Sequence, residues 1–419
     1  MKTPDSIRVF EYDSICFKEG RRYHHASFTE AHHIAFESFF LETEYCPFFE
    51  LIPQGVRFKS YVGVIHIGNI TIEVLPKADR KKKSDEEKAV WHDVLLDMLK
   101  ACSLLTAKQV GNAPLRLRSN SILDLYFELF LSELDYLFRR GLMKQYRKRE
   151  GQQKALRGAL VFSEHIRQNV IHKERFYTRH TTYEKDHLIH QILFEALDLT
   201  DRLANKSELG DLIGRLKVDF PKVSRIKVSA KTFDRVKENR KTDPYRKALE
   251  IAKLLLLNFR PDIRSGRNDM IALMFDMNRL WEEYILRQMQ RELSKEGWKV
   301  SGQKSESFWE GKTIRPDIVL TRDDETYIID TKWKLPDNRK PNDGDLKQMY
   351  VYNHHWKANQ SLLLYPKSGD QSDMNGFFYL DREGEQHGCK MGFTAVVKDG
   401  MLNRGVGMDV LGKLKERET

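Results

Sequence analysis

The stretch RPDIVLTRDDETYIIDTKWK, Arg315 to Lys334, contains three residues whose types and spacing could do chemistry: Asp317, Asp330 and Lys332. Aspartates favour turns, so a turn centred on Asp323-Asp324 is expected. The pairing that follows sets Leu320 against Tyr327 and Asp317 directly across from Asp330. Opposed residues of an antiparallel pair have Cα atoms about 4.5–5.5 Å apart. Lys332, two residues beyond Asp330, points to the same face. Two carboxylates so close raise each other's pKa unless a cation lies between them. Mg2+, or Mn2+ in its place, suits such a pair, because a hard ion uses one or two carboxylates and keeps waters for a substrate phosphate. Such an ion lowers the pKa of a bound water and stabilises charge on a phosphate under attack. Lys332 could hold that water or neutralise the developing charge. A hairpin with a simple salt bridge is the plainer reading of D…DxK alone, and context has to decide between the two. A second RPDI, Arg260 to Ile263, runs into RSGRND with no apolar strand and no DxK partner.

Two more segments add to that context. In DMNRLWEEYILRQMQREL, a helical wheel places Trp281, Ile285, Met289 and Leu293 on one stripe, with Glu282 inside it and Glu283 outside. A carboxylate on the buried side needs a partner, which a metal or the lysine would supply. Glu282 is therefore a third candidate metal ligand beside Asp317 and Asp330. In DLKQMYVYNHHW, Gln348 and Tyr352 are four apart on one helical face, where both could meet a phosphate or position Lys332.

These residues need a scaffold, and the predicted order is helix (277–293), strand (298–301), hairpin (314–333), helix (345–356) and strand (361–365). Alternation of this kind predicts a compact α/β domain with a mixed sheet. It should occupy residues 261–419, starting where RPDIRSGRND breaks the helical pattern around Pro261 to Asp269. The first segment, 1–83, reads as β-rich: Tyr61 to Ile67 and Thr71 to Leu75 flank Gly68-Asn69, a hairpin signal. Ser84 and Glu87 have capping-box spacing, so helices should begin there. Residues 84–260 read as mainly helical, with long patterns at 122–142 and 184–204 and a glycine-marked turn and short strand in LRGALVFSEHIRQN between them. The class expected is α/β, or α+β for the chain as a whole.

Charge and cysteines narrow the function. The 419 residues carry a net charge of +10, which favours a polyanionic partner. Much of the excess lies between Arg139 and Arg179, including Arg147, Lys148 and Arg149, where contact with DNA phosphate and a solvated face are both open readings. No apolar run approaches the roughly 20 residues needed to span a bilayer, and the first residues have no signal-type apolar region, so a cytoplasmic protein is expected. The four cysteines, Cys16, Cys46, Cys102 and Cys389, show no zinc or iron–sulfur spacing, and the histidines of HHASFTEAHH lack the other ligands of a tetrahedral site. Gly311-Lys312-Thr313 has Glu306 where a P-loop needs its first glycine.

Taken in order, Glu282, Asp317, Asp330-Thr331-Lys332 and Gln348-x-x-x-Tyr352 resemble the PD-(D/E)xK nuclease domain of the RecB-like type. YVGVIHIGNITIEVLPK, LRGALVFSEHIRQN and YEKDHLIHQILFEAL are similar to segments of the McrC family, the nuclease subunits of McrBC-type restriction systems. The resemblance implies a Mg2+-dependent endonuclease subunit acting on double-stranded DNA with modified cytosine. It also implies docking on, and stimulation of, a separate McrB-like AAA+ GTPase ring, with no nucleotide bound by this chain alone. The competing readings are a stand-alone RecB-like nuclease and a non-catalytic activator of a motor.

Overall fold

The computed structural model describes residues 5–42, 46–77, 84–102, 121–204, 206–260, 269–334, 340–358, 360–378 and 388–415. The chain divides into two compact units, one made of residues 1–105 and 260–419, the other of 106–259. This differs from the three successive segments expected at boundaries 83 and 260. The reason lies in one strand. Met270–Asp276, well past the middle of the chain, pairs antiparallel with Tyr61–Ile67 and extends the N-terminal sheet. Gly63 makes this approach feasible: its φ is +137°, and a Cβ there would lie 2.1 Å from the Leu273 carbonyl oxygen. A larger residue would push the two strands apart. The expected start of a new unit at 261–268 lies outside the described residues.

Four strands of the N-terminal sheet run in the order Asp5–Phe10, Ile70–Leu75, Tyr61–Ile67, Met270–Asp276. Ile67 pairs with Ile70, so Gly68-Asn69 form the two-residue turn read from the sequence. Phe36, Phe49, Phe58, Ile65, Ile72 and Ala272 close one core beneath it. Ser84 caps the helix Asp85–Ala101 by accepting from the Glu87 N–H.

The second sheet of this unit has six strands in the order Lys299–Gly302, Ile318–Arg322, Glu325–Thr331, Gln360–Pro366, Gly388–Thr394, Met374–Phe377. It is mixed. Ile318–Arg322 and Glu325–Thr331 pair antiparallel, while Glu325–Thr331, Gln360–Pro366 and Gly388–Thr394 run parallel. The crossover between the first two parallel strands carries the helix Asp343–Trp356, as a parallel connection demands. Ile328, Leu363, Met391 and Phe393 pack with Met349 and Tyr352 of that helix.

The other unit is α+β, not helical alone. Helices Ile122–Arg140, Leu188–Leu203, Lys206–Asp219 and Arg246–Leu257 accompany a three-stranded sheet of Gln145–Gln153, Phe176–Glu184 and Ala159–Leu160. The basic run Arg147-Lys148-Arg149 is strand, in register with Thr182, Thr181 and His180. The sequence pattern missed it because QYRKREGQQ is polar on both faces, and its burial is correspondingly slight. Only Ala159–Leu160 of LRGALVFSEHIRQN is strand, and Phe162–Asn169 is helix. All four cysteines are free thiols. No helix among the described residues is long and apolar enough to cross a membrane.

Candidate active site

The hairpin holds the expected register. Leu320 faces Tyr327, Ile318 faces Ile329, and Arg322 and Glu325 close the ladder around Asp323-Asp324, with Asp323 at φ 51°. The ladder ends one step before Asp317. That residue turns its carboxylate onto the opposite strand's end, where Oδ2 accepts from the Thr331 N–H at 2.7 Å and the Thr331 Oγ1–H at 2.9 Å. Asp330 is 3% exposed. Its Oδ2 lies 2.7 Å from Lys332 Nζ, and its Oδ1 accepts a long contact from Gln348 Nε2 at 3.5 Å. The Lys332 backbone is pinned by its N–H to the Leu364 carbonyl, 2.9 Å.

The crossover helix supplies the second layer of the site. Gln348 Nε2 donates to Tyr352 Oη at 2.7 Å, and Tyr352 Oη donates to the Arg315 carbonyl at 3.0 Å. The expected pair thus touches both the start of the hairpin and Asp330. Asp345, unremarked in the sequence reading, lies 3.3 Å from Lys332 Nζ. It precedes Gln348 by three residues and so shares its helical face, a spacing that could have drawn attention to it. Thr331, inside the DTK triplet, carries no separate signal in the sequence, because its hydroxyl donates to Asp317 only once the strands pair.

Glu282 comes from the helix Met277–Leu293, whose stripe Trp281, Ile285, Met289 and Leu293 is fully buried. Its Oε1 accepts from Gln303 Nε2 at 2.7 Å, and it is half-buried. Glu283 instead pairs with Arg287 along the helix, 2.6 Å.

The electrostatics tie the three carboxylates together. Burial, then Glu282, raises the Asp317 carboxyl to about 6. Burial, then Asp317, raises Asp330 likewise to about 6, against the pull of Lys332. Glu282 is also raised, by burial and by Asp330, with the Gln303 hydrogen bond opposing. Burial would lower the Lys332 ammonium, but Asp330 and Asp345 outweigh it and hold the group well above its ordinary value. Three carboxylates that repel one another in a partly dry site form an acceptor-only cluster, which a hard divalent cation would relieve. No three acidic, histidine or cysteine side chains among the described residues already enclose a common point. Mg2+ does not need such a cage, since it is held through one or two carboxylates and retains waters. The donor chemistry of Asp317, Asp330 and Glu282 therefore fits it.

Two other sequence features find ordinary places. Gly311-Lys312-Thr313 lies at the turn and second strand of the hairpin Glu306–Trp309 with Lys312–Ile314, whereas a P-loop leads into a helix. His32 of the histidine-rich segment is bonded to Thr29 and Asn69.

No curated protein matches the sequence. Among solved structures, the refined half-complex from the tetradecameric assembly of Thermococcus gammatolerans McrB AAA+ hexamers with bound McrC contains a similar chain. It has 18% identity and a TM-score of 0.65, covering 97% of this chain and 100% of that one. The cryo-EM structure of the Thermococcus gammatolerans McrBC complex aligns at 21% identity and a TM-score of 0.49, over 69% of this chain and 88% of the other. At 18% identity the first likeness is one of fold. The family model described as "McrBC 5-methylcytosine restriction system component" matches residues 56–366, a span that includes Asp317, Asp330 and Lys332, and this chain belongs to that family.

Proposed function

We propose that this chain is the DNA-cleaving subunit of a modification-dependent restriction complex, of McrC type, hydrolysing phosphodiester bonds at a PD-(D/E)xK site in residues 261–419. The observation that carries the reading is the convergence of Asp317, Asp330, Lys332, Gln348 and Tyr352 on one end of a mixed sheet, with Glu282 in electrostatic reach. Asp317, Asp330 and Glu282 would hold Mg2+, or Mn2+ in its place. Bound there, the ion supplies a water of lowered pKa and a Lewis acid for the phosphate.

The chain's own residues do the rest. Lys332, kept protonated by Asp330 and Asp345, places a fixed positive charge where the phosphate under attack gains negative charge. Thr331 orients the Asp317 carboxylate, so Asp317 stays aimed at the site. Tyr352 holds Gln348 through its hydroxyl, and Gln348 presents its amide towards Asp330 and an incoming phosphate.

The partners follow from the family. Double-stranded DNA with modified cytosine is the substrate, and an AAA+ GTPase ring is the subunit on which this chain docks and whose turnover it raises. The McrB AAA+ hexamers with bound McrC in the similar structure support that arrangement. The test combines purified chain, its GTPase partner, GTP, Mg2+ and methylated or unmethylated DNA. Cleavage should require all components and the methylated substrate. Stimulated GTP hydrolysis without any cleavage would instead make the chain an activator only.

A further inference from the structure

The Lys332 site has a support that comes from the opposite end of the sequence. Glu11 follows the first strand, Asp5–Phe10, and is 1% exposed. Its Oε1 accepts from Trp333 Nε1 at 2.6 Å and from the Lys77 N–H at 2.9 Å, while Oε2 has no hydrogen-bond partner among the described residues. Its own N–H donates to the Leu75 carbonyl, so the residue is fixed to the edge of the N-terminal sheet. Burial pushes the Glu11 carboxyl up to about 7, with Asp276 adding to burial and the two N–H donors opposing.

A buried indole N–H needs one acceptor, and any neutral carbonyl would serve. A carboxylate with one oxygen unpaired pays for desolvation. What the carboxylate reaches is informative. Trp333 is the residue after Lys332, is itself 4% exposed, and stands edge-on to Trp281 with ring centroids 5.5 Å apart. Trp281 is the residue before Glu282. A single indole held by Glu11 therefore abuts both the DTK strand and the helix that carries the third carboxylate.

We infer that Glu11 is a positioning residue for the nuclease site: by gripping the Trp333 indole it fixes the backbone direction beyond Lys332 and the seat of Glu282. The N-terminal β-rich segment is then part of the site's scaffold and not an appended module. The claim rests on the nuclease reading for its effect on cleavage and on geometry alone for its effect on residues 329–334.

Three single variants of this chain, and one double variant, test it. Glu11→Gln keeps the acceptor, Glu11→Leu removes it while filling the space with an apolar side chain, and Trp333→Phe keeps the ring and removes the N–H. With the GTPase partner, Mg2+ and methylated DNA, kcat should fall at least about tenfold in Glu11→Leu and in Trp333→Phe, since small misplacements of catalytic groups are expensive. KM for DNA should stay unchanged, and Glu11→Gln should keep most of the wild-type rate. The double variant Glu11→Leu/Trp333→Phe should lose no more than either single one. Amide hydrogen exchange over residues 329–334 should accelerate in Glu11→Leu and not in Glu11→Gln. Unchanged exchange and unchanged kcat in a folded Glu11→Leu chain would overturn the inference. If the wild type cleaves no DNA, the nuclease reading fails, and exchange alone decides whether Glu11 holds this segment.

Discussion

Two antiparallel strand pairs in this chain carry clusters of charge, and they handle it in opposite ways. From Asp317 to Lys332, Asp330 is buried while Asp317 and Lys332 are half-buried, and both carboxyls are driven up to about 6, first by burial and then by a neighbouring carboxylate, Glu282 for Asp317 and Asp317 for Asp330. In the sheet formed by Gln145–Gln153 and Phe176–Glu184, Arg147 and Arg149 reach Glu184 and Asp186 in exposed ion pairs, and Arg179 pairs with Glu150. Most cations of the second cluster already have anionic partners within it, and exposed pairs of that kind are worth about 0–1 kcal/mol. The first is left with more negative charge than Lys332 can balance. Unrelieved charge in a dry place is the mark of a site waiting for a ligand, whereas a long run of basic letters is not.

The sharpest way to break this contrast is to remove the buried charges. Lys332→Ala or Asp330→Asn should lower DNA cleavage by at least about a hundredfold, as loss of a preorganised charge at the reacting centre does. Chelation of divalent ions should abolish cleavage in the wild type. Wild-type cutting by Lys332→Ala would remove the site from this hairpin.

The pH dependence comes next. The ordinary aspartate value is 3.8, and both carboxyls lie near 6 in the folded chain, so the folded state holds these protons more tightly than the unfolded one. Their contribution to stability is then complete below about pH 4 and is lost as pH rises through about 6. Asp330→Asn cannot ionise and should flatten that part of the Tm–pH curve. Conversely, Mg2+ has to displace those protons, so its affinity should rise between about pH 5 and 7. Calorimetric titration at several pH values measures this, and an affinity independent of pH would contradict the raised carboxyls.

Smaller effects are expected one layer out. Tyr352→Phe frees Gln348 and the Arg315 carbonyl, and Gln348→Ala removes the amide beside Asp330. Each hydrogen bond is worth about 1 kcal/mol, which corresponds to a loss in kcat of about fivefold. Single-turnover cleavage rates separate this from a binding defect.

The least effect belongs to the other strand pair. Reversing Arg147, Lys148 and Arg149 to Glu should weaken DNA association equally on all sequences and lower the slope of log K against log salt by about one to three. Two of the three cations already have anionic neighbours, so the lower end is expected. Impaired assembly with the GTPase at unchanged DNA affinity would assign the strand to the partner, and no change in either would leave it a solvated face.

Local rules carried much of the site. Alternation and a turn at Asp323-Asp324 predicted a register in which Leu320 meets Tyr327, because strand pairing from a tight turn has only one free parameter. Helical spacing brought Gln348 and Tyr352 together for the same reason. By itself, the sequence determined which residues could do chemistry and the short-range geometry that groups them. It did not disclose Glu11, more than three hundred residues from Trp333. Nor did it disclose that Met270–Asp276 completes a sheet begun near residue 5. Contacts across such separations leave no periodic trace, since each partner looks locally like any other strand end. Burial was decided in the same way. DTK and RKR are both short charged strings, and only the packing of Ile328, Leu363 and Tyr352 around one of them put Asp330 out of water.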